Sequence, residues 1–284
     1  MMRDINDIRK FVKKTSILRW SGSKTRLLPD LRRLSPNSFE RYVEPFAGSA
    51  SLFFEIEPKE SILGDLNSCV IDVYRAIQTD AEAVAATLDG IPKTSEAYYQ
   101  LRSLDPAQLS LVQRAARLIF LMKACFNGVY RTNKLGKFNV PMGDKIYALP
   151  SLSELVHAQS LLRGTTLLNA DFGATVKNCR PNDWIYMDPP YKSPGRFRGE
   201  YGYNAEFCSL RVASLVATIR HLSDAGCYVT LSYSFDQELI DSLPGWYVTP
   251  VTARRSVAGE LAKRVAAREI IVQNYKSVNN DTAN

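Results

Sequence analysis

The chain has 284 residues, 45% apolar and 23% charged, with 36 Lys and Arg against 29 Asp and Glu, a formal charge of +7. That composition is ordinary for a soluble globular protein of one large or two small domains. No run approaches the ~20 apolar residues of a membrane helix, and MMRDINDIRKFVKK has no signal-peptide core, so a cytoplasmic protein is expected.

The basic excess favours a polyanionic partner. Basic residues gather at Arg9–Lys14, Lys192–Arg198, Arg254–Arg255 and Lys263–Arg268. Along the chain, RWSGSKTRLL (19–28) comes first: Trp20 can stack, Gly22 permits a sharp turn and Lys24 can neutralise a carboxylate. Its plain reading is a turn before a helix at Thr25–Leu34. RYVEPFAGSASLFFEI (41–56) reads strand, turn, helix. SILGDLNSCVIDVYRAI (61–77) repeats that order, with Asn67 as helix N-cap. Two such units in succession imply a parallel sheet with helices on its faces.

From about Thr79 to Leu162 the pattern is helical. Leu111, Ala115, Leu118, Ile119 and Met122 mark its longest periodic segment. NGVYRTNKLGKFNVPMGDK (127–145) follows, a polar, basic loop or short hairpin. Strands are expected again at Thr165–Leu168 and Trp184–Met187, a helix at Glu206–Ala225, then strands near Cys227–Ser232, Trp246–Val251 and Glu269–Gln273. The tail KSVNNDTAN reads as a frayed end. One sheet built from both halves, with residues 79–162 projecting from one edge, is the economical reading.

Three stretches carry chemistry. In EPFAGSAS, Glu44 ends a strand and Gly48 allows a tight turn, with small residues that permit close approach of a ligand. No G-x-G-x-x-G and no G-x-x-x-x-G-K-[ST] is present. About twenty residues on, Asp65 ends the next strand, where an acid can accept both ribose hydroxyls or simply cap a helix. Glycine turn plus spaced acid points to a compact nucleoside ligand without pyrophosphate. In DWIYMDPPYKSP (183–194) a buried strand ends in Asp188, Pro189, Pro190 and Tyr191. The prolines stiffen the segment and supply no N–H, so a carboxylate, free carbonyls and an aromatic face share one region. That set suits a planar group bearing an amine; a rigid turn is the alternative. Cys69, Cys125, Cys179, Cys208 and Cys227 form no C-x-x-C pair, and His157 and His221 lie far apart, so no metal site is expected.

RWSGSK, EPFAGSAS, GDLN, NGVYR…GKFNVPMG and DPPY, in this order, resemble the Dam-type (D12 class) DNA adenine-N6 methyltransferases. The likeness runs from about Leu18 to Tyr191 and more weakly through RRSV (254–257) to Tyr275. It implies an α/β Rossmann-like S-adenosylmethionine-dependent methyltransferase sheet, with residues 1–78 and 163–284 catalytic and 79–162 a helical DNA-recognition insert. By position, Trp20, Gly22 and Lys24, then Glu44, Phe46 and Gly48, then Asp65, Asp171, Phe172 and Asp188 match cofactor-side positions. Asp188, Pro189, Pro190 and Tyr191 match the catalytic motif. Arg19, Phe126, Asn127, Arg131, Asn139 and Pro141 match positions that face double-stranded DNA. This chain has Arg19 where lysine is common, Ser23 for a second glycine, and Ala50 for a frequent glycine.

The resemblance implies methyl transfer to N6 of a flipped adenine, with GATC as the expected target. Cytosine N4 or adenine in RNA are alternative targets on the same fold, and a DNA-binding module without catalysis is the alternative of another class. No residue points to a partner endonuclease.

Overall fold

The structure is a computed structural model that describes residues 17–191, 209–253 and 267–277. The basic clusters Arg9–Lys14, Lys192–Arg198 and Arg254–Arg255, RRSV, Cys208 and most of Lys263–Arg268 lie outside the described residues.

The elements run in chain order as α1 (Leu28–Arg33), β1 (Tyr42–Glu44), α2 (Ser51–Ile56), β2 (Ser61–Asp65), α3 (Ser68–Thr79), α4 (Ala81–Asp89), α5 (Ser95–Ser103) and α6 (Leu111–Ala124). Then come α7 (Leu152–Leu162), β3 (Thr165–Asn169), α8 (Phe172–Val176), β4 (Trp184–Met187), α9 (Ser209–Asp224), β5 (Tyr228–Ser234), α10 (Gln237–Asp241), β6 (Tyr247–Ala253) and β7 (Ala267–Gln273). The expected helix at Thr25–Leu34 is shorter at both ends and begins at Leu28. Pro29 has no N–H and would clash with the Thr25 carbonyl if it lay deeper in a helix, so it takes the first turn. Asn67 caps α3 as expected, its side chain accepting from Cys69 N at 3.0 Å.

The seven strands form one sheet in the order β3-β2-β1-β4-β5-β7-β6. β1 to β5 are parallel, and β7 runs antiparallel to both its neighbours. The chain builds outward from β1 to β3, then restarts at β4 on the other side of β1. The carboxyl ends of β1 and β4 therefore flank the point where strand order reverses, the usual ligand crevice of an open α/β sheet.

Side chains alternate across the central strands. Tyr42, Trp184 and Tyr186 face one apolar cluster, while Val43, Ile185 and Met187 face the other, under α8, α9 and α10. The helical segment packs through α6 against α3, α4 and α5. Its residues Ala115, Ala116, Leu118 to Phe120, Leu155 and Ala158 belong to the same apolar cluster as Tyr42, Leu63 and Trp184. The reason lies in α6, where every residue from Ala115 to Ala124 is buried, so the helix must be surrounded. Even Arg117 is inside. It donates from Nε to Leu101 O (2.6 Å) and from Nη2 to Arg102 O (3.1 Å), satisfying carbonyls at the end of α5. Ser110 and Gln113 start α6 with a capping box.

Candidate active site

The loop after β1 carries the first part of the site. Gly48 adopts φ +46°, and a Cβ there would lie 3.0 Å from Trp20 Cδ1. Its N–H donates to Asp65 Oδ2 at 2.9 Å, and Tyr74 OH donates to its carbonyl at 2.6 Å. Asp65 Oδ1 accepts from Asn67 N at 2.8 Å. The acid at the end of β2 thus ties two strand-to-helix turns together. Ala50 also sits in the left-handed region at φ +48°, which explains why glycine suits this position.

Trp20 is buried and stacks on Tyr130 with ring centroids 5.2 Å apart, joining the N-terminal turn to the hairpin after α6. Gly22 turns at φ +84° and its carbonyl accepts from Lys24 Nζ at 3.0 Å. The same ammonium reaches Asp188 Oδ1 at 2.8 Å and lies 4.8 Å from the Tyr191 ring centroid. Two segments 164 positions apart in sequence, RWSGSK and DPPY, therefore meet in space. Ser232, at the end of β5, donates to the same Asp188 Oδ1 at 2.9 Å. Tyr191 packs edge-on to Tyr233.

Burial dominates the electrostatics of the site. Burial lifts the Glu44 carboxyl well above the usual carboxylate range, and Asp188 and Asp65 add to the rise, while the 2.8 Å hydrogen bond from Tyr42 opposes it. Burial likewise raises Asp188, against the lowering effects of Lys24 and Ser232. Three buried or half-buried carboxyls thus surround one glycine turn. Phe46 and Phe172 stack 5.5 Å apart at the crevice edge. Asp171 is exposed and caps α8 through Ala174 N (2.7 Å), a local role that leaves one of its oxygens outward.

The positions expected to face DNA gather on a hairpin after α6. Phe126 is 51% exposed, and Asn127 beside it takes φ +54°. Phe126 N donates to Pro141 O at 3.0 Å, closing the hairpin base. Arg131 Nε donates to Asn139 Oδ1 at 2.8 Å, while Asn133 Oδ1 accepts from Leu135 N and Lys137 N to shape the tip. Arg19 is held under this hairpin. Its Nη1 donates to Cys125 O at 3.2 Å and its guanidinium lies 4.0 Å from the Tyr147 ring centroid. Gly128 turns at φ +63°, where a side chain is strained, and a Cβ there would come within 2.7 Å of Arg19 Nε, so Arg19 would have to shift.

Sequence reading missed Ser232, Tyr186, Tyr74 and Glu269. Each touches the site only through strand pairing or helix packing, which no local motif signals. The one cue for Ser232 is its place in the alternating strand VTLSYS.

Residues 20–255 match the D12 class N6 adenine-specific DNA methyltransferase family. The chain belongs to that family. It is 31% identical to the type II methyltransferase M1.LlaDCHI of Lactococcus lactis subsp. cremoris, over 90% of this chain and 94% of the relative. The type II methyltransferase M.MjaIII of Methanocaldococcus jannaschii is 28% identical over 91% of this chain and 98% of its own. The DNA adenine methylase of Salmonella typhi is 28% identical over 91% and 95%. As an adenine-specific DNA methyltransferase the protein needs a methyl donor. Among the described residues, no group of side chains is arranged to hold a metal ion and no helix is long and apolar enough to cross a membrane.

Proposed function

We propose that this methyltransferase moves the methyl group of S-adenosylmethionine to N6 of an adenine extruded from double-stranded DNA. The observation that carries the reading is the carboxylate of Asp188 at the carboxyl end of β4, in the crevice where strand order reverses, facing Lys24 and the acid-lined glycine turn. The residues present fit the donor: a glycine turn with no room for a side chain beside Trp20, and the carboxyls of Asp65 and Asp188 close to it. When bound, the donor supplies an electrophilic methyl group on a positively charged sulfur. Trp20, Gly22 and Lys24 hold its amino-acid end, Glu44, Phe46 and Gly48 line the turn, Asp65 takes the ribose hydroxyls, and Asp171 and Phe172 flank the adenine end.

The N6 nitrogen of adenine is a poor nucleophile because its lone pair is delocalised into the ring. Asp188 accepts one N6 hydrogen and the Pro189 carbonyl the other, which localises that lone pair. Pro190 keeps the segment stiff, and Tyr191 stacks on the base. Positioning and electrostatics supply most of the rate. Extruding the base costs roughly a few kcal/mol of unstacking.

Residues 79–162 form the recognition segment of this proposal and the remainder the catalytic part. Phe126 fills the space the base leaves. Asn127, Arg131, Asn139 and Pro141 read or position neighbouring bases, with arginine able to pair bidentately with guanine. Arg19, packed against the hairpin, supports its shape and contributes positive charge on the side that faces DNA. The likeness of GKFNVPMG to enzymes that modify GATC supports GATC as the target. The test is Asp188→Ala: turnover should be abolished while binding of S-adenosylhomocysteine falls far less. Unchanged turnover removes Asp188 from the mechanism.

A further inference from the structure

We infer that Ser232, held in turn by Tyr186, is a positioning residue that commits Asp188 to offer its Oδ2, and not its Oδ1, to the target amine. The inference rests on the reading of Asp188 as the amine's acceptor.

The argument is a count of protons and lone pairs. Ser232 has one hydroxyl proton and donates it to Asp188 Oδ1 at 2.9 Å. An ionised carboxylate has no proton to return. The contact between Tyr186 OH and Ser232 Oγ, at 3.0 Å, must therefore have Tyr186 as donor. Tyr186 is buried, and its burial and the nearby Asp188 hold its phenol well above the usual range, so it keeps that proton. The relay runs one way, from Tyr186 to Ser232 to Asp188. Lys24 Nζ places a second donor on the same Oδ1 at 2.8 Å, and is itself fixed by Gly22 O at 3.0 Å. A carboxylate oxygen presents two lone pairs. Oδ1 is thereby saturated, and an incoming N–H must go to Oδ2.

The sheet builds this arrangement. Met187 of β4 pairs with Leu231 of β5, so Asp188 emerges beside Ser232. One step lower, Trp184 Nε1 donates to Thr230 Oγ1 at 3.0 Å along the same diagonal. Buried aromatic donors on β4 thus meet hydroxyls on β5 twice in succession, and the upper hydroxyl passes the bond on to the reacting carboxylate. A fixed acceptor oxygen sets the direction from which the amine's hydrogen is taken.

The charged and titratable groups around Asp188 are Lys24 from the turn before α1, Tyr42 and Glu44 on β1, Tyr186 on β4, Tyr191 after it and Glu269 on β7. Among them Lys24, together with Ser232, favours the ionised carboxylate, so loss of the Ser232 hydroxyl moves the acid limb of the rate to higher pH.

The experiment measures single-turnover methyl transfer against pH for Ser232→Ala, Ser232→Thr, the double variant Ser232→Ala/Tyr186→Phe, and Asp188→Ala. Ser232→Ala should slow transfer about tenfold or more with the DNA concentration dependence unchanged, since hydrogen bonds to charged groups carry that much. Its acid limb should shift upward, and Ser232→Thr should restore both. The double variant removes both buried partners, so it should melt near the parent temperature yet stay slow, which separates positioning from folding. A double variant with the parent rate and acid limb overturns the inference. If Asp188→Ala abolishes transfer while Ser232→Ala behaves as the parent, the Ser232 role fails alone. If Asp188→Ala itself transfers at the parent rate, the reading of Asp188 fails first.

Discussion

Replacing Gly48 with alanine tests whether the turn after β1 is the donor's cradle. Gly48 adopts φ +46°, so a side chain there meets the left-handed penalty of about 1–2 kcal/mol. The new Cβ would also lie 3.0 Å from Trp20 Cδ1 and 3.4 Å from Nε1. Trp20 cannot yield freely, because it stacks on Tyr130 at 5.2 Å; crowding of this kind adds about 1 kcal/mol. Alanine also restricts the unfolded chain, which returns about 0.4–1 kcal/mol. The net loss is roughly 2 kcal/mol, or about 4–8 °C in melting temperature for a chain of this size. Gly245 supplies the control. It has φ +82° and nothing within 4 Å of a Cβ, so Gly245→Ala meets the strain without the contact and should lose about half as much. Calorimetric titration with S-adenosylhomocysteine should show at least about tenfold weaker binding for Gly48→Ala, since the turn's N–H also holds Asp65 at 2.9 Å, and parent affinity for Gly245→Ala. Equal melting temperatures for the two variants together with parent affinity for both would refute the reasoning.

Three further outcomes are expected. Arg41 Nη2 meets the fully buried Asp183 at 2.6 Å at the amino end of the sheet, so Asp183→Ala should cost about 3–5 kcal/mol in urea denaturation by leaving Arg41 uncompensated. The Glu44 carboxyl is held well above its ordinary value of 4.5, chiefly by burial, so the folded state keeps that proton after the unfolded chain has lost it. Stability therefore falls as pH rises from that value toward the folded one; Glu44→Gln lacks this loss and should be the more stable protein at about pH 8 but not at about pH 4, read by thermal melting of the unliganded enzyme. Lys134 and Lys137 are exposed on the hairpin after α6; replacing both with glutamine should weaken binding alike on all duplexes and lower the slope of log affinity against log salt by about two, and an unchanged slope would make them solvated bystanders.

Much of the fold could be read from local pattern. Trp184–Met187 forms β4 with the expected bounds because a short apolar run is closed by two prolines, and Asn67 caps α3 because its side chain replaces a missing backbone partner. The start of α1 falls later than the helical residues around it suggest, because Pro29 must occupy the first turn. In the segment after Thr79, helical periodicity marks α6, but its burial from Ala115 onward depends on α3, α4 and α5, which its own residues do not name. Of the site, the segments could be found but not their meeting. Nothing near Lys24 says that it reaches Asp188, and nothing near Asp188 names Ser232, because the register of β4 on β5 decides that neighbour. Arg19, a cation expected to face DNA, is half-buried beside the hairpin with its guanidinium 4.0 Å from the Tyr147 ring centroid, a contact that no local motif signals.

The most direct test is the chemical identity of the product. Duplex DNA incubated with the enzyme and S-adenosylmethionine labelled in its methyl group, then digested to nucleosides, should carry its label in N6-methyladenine alone. Label in N4-methylcytosine, or none in DNA at all, would contradict the account.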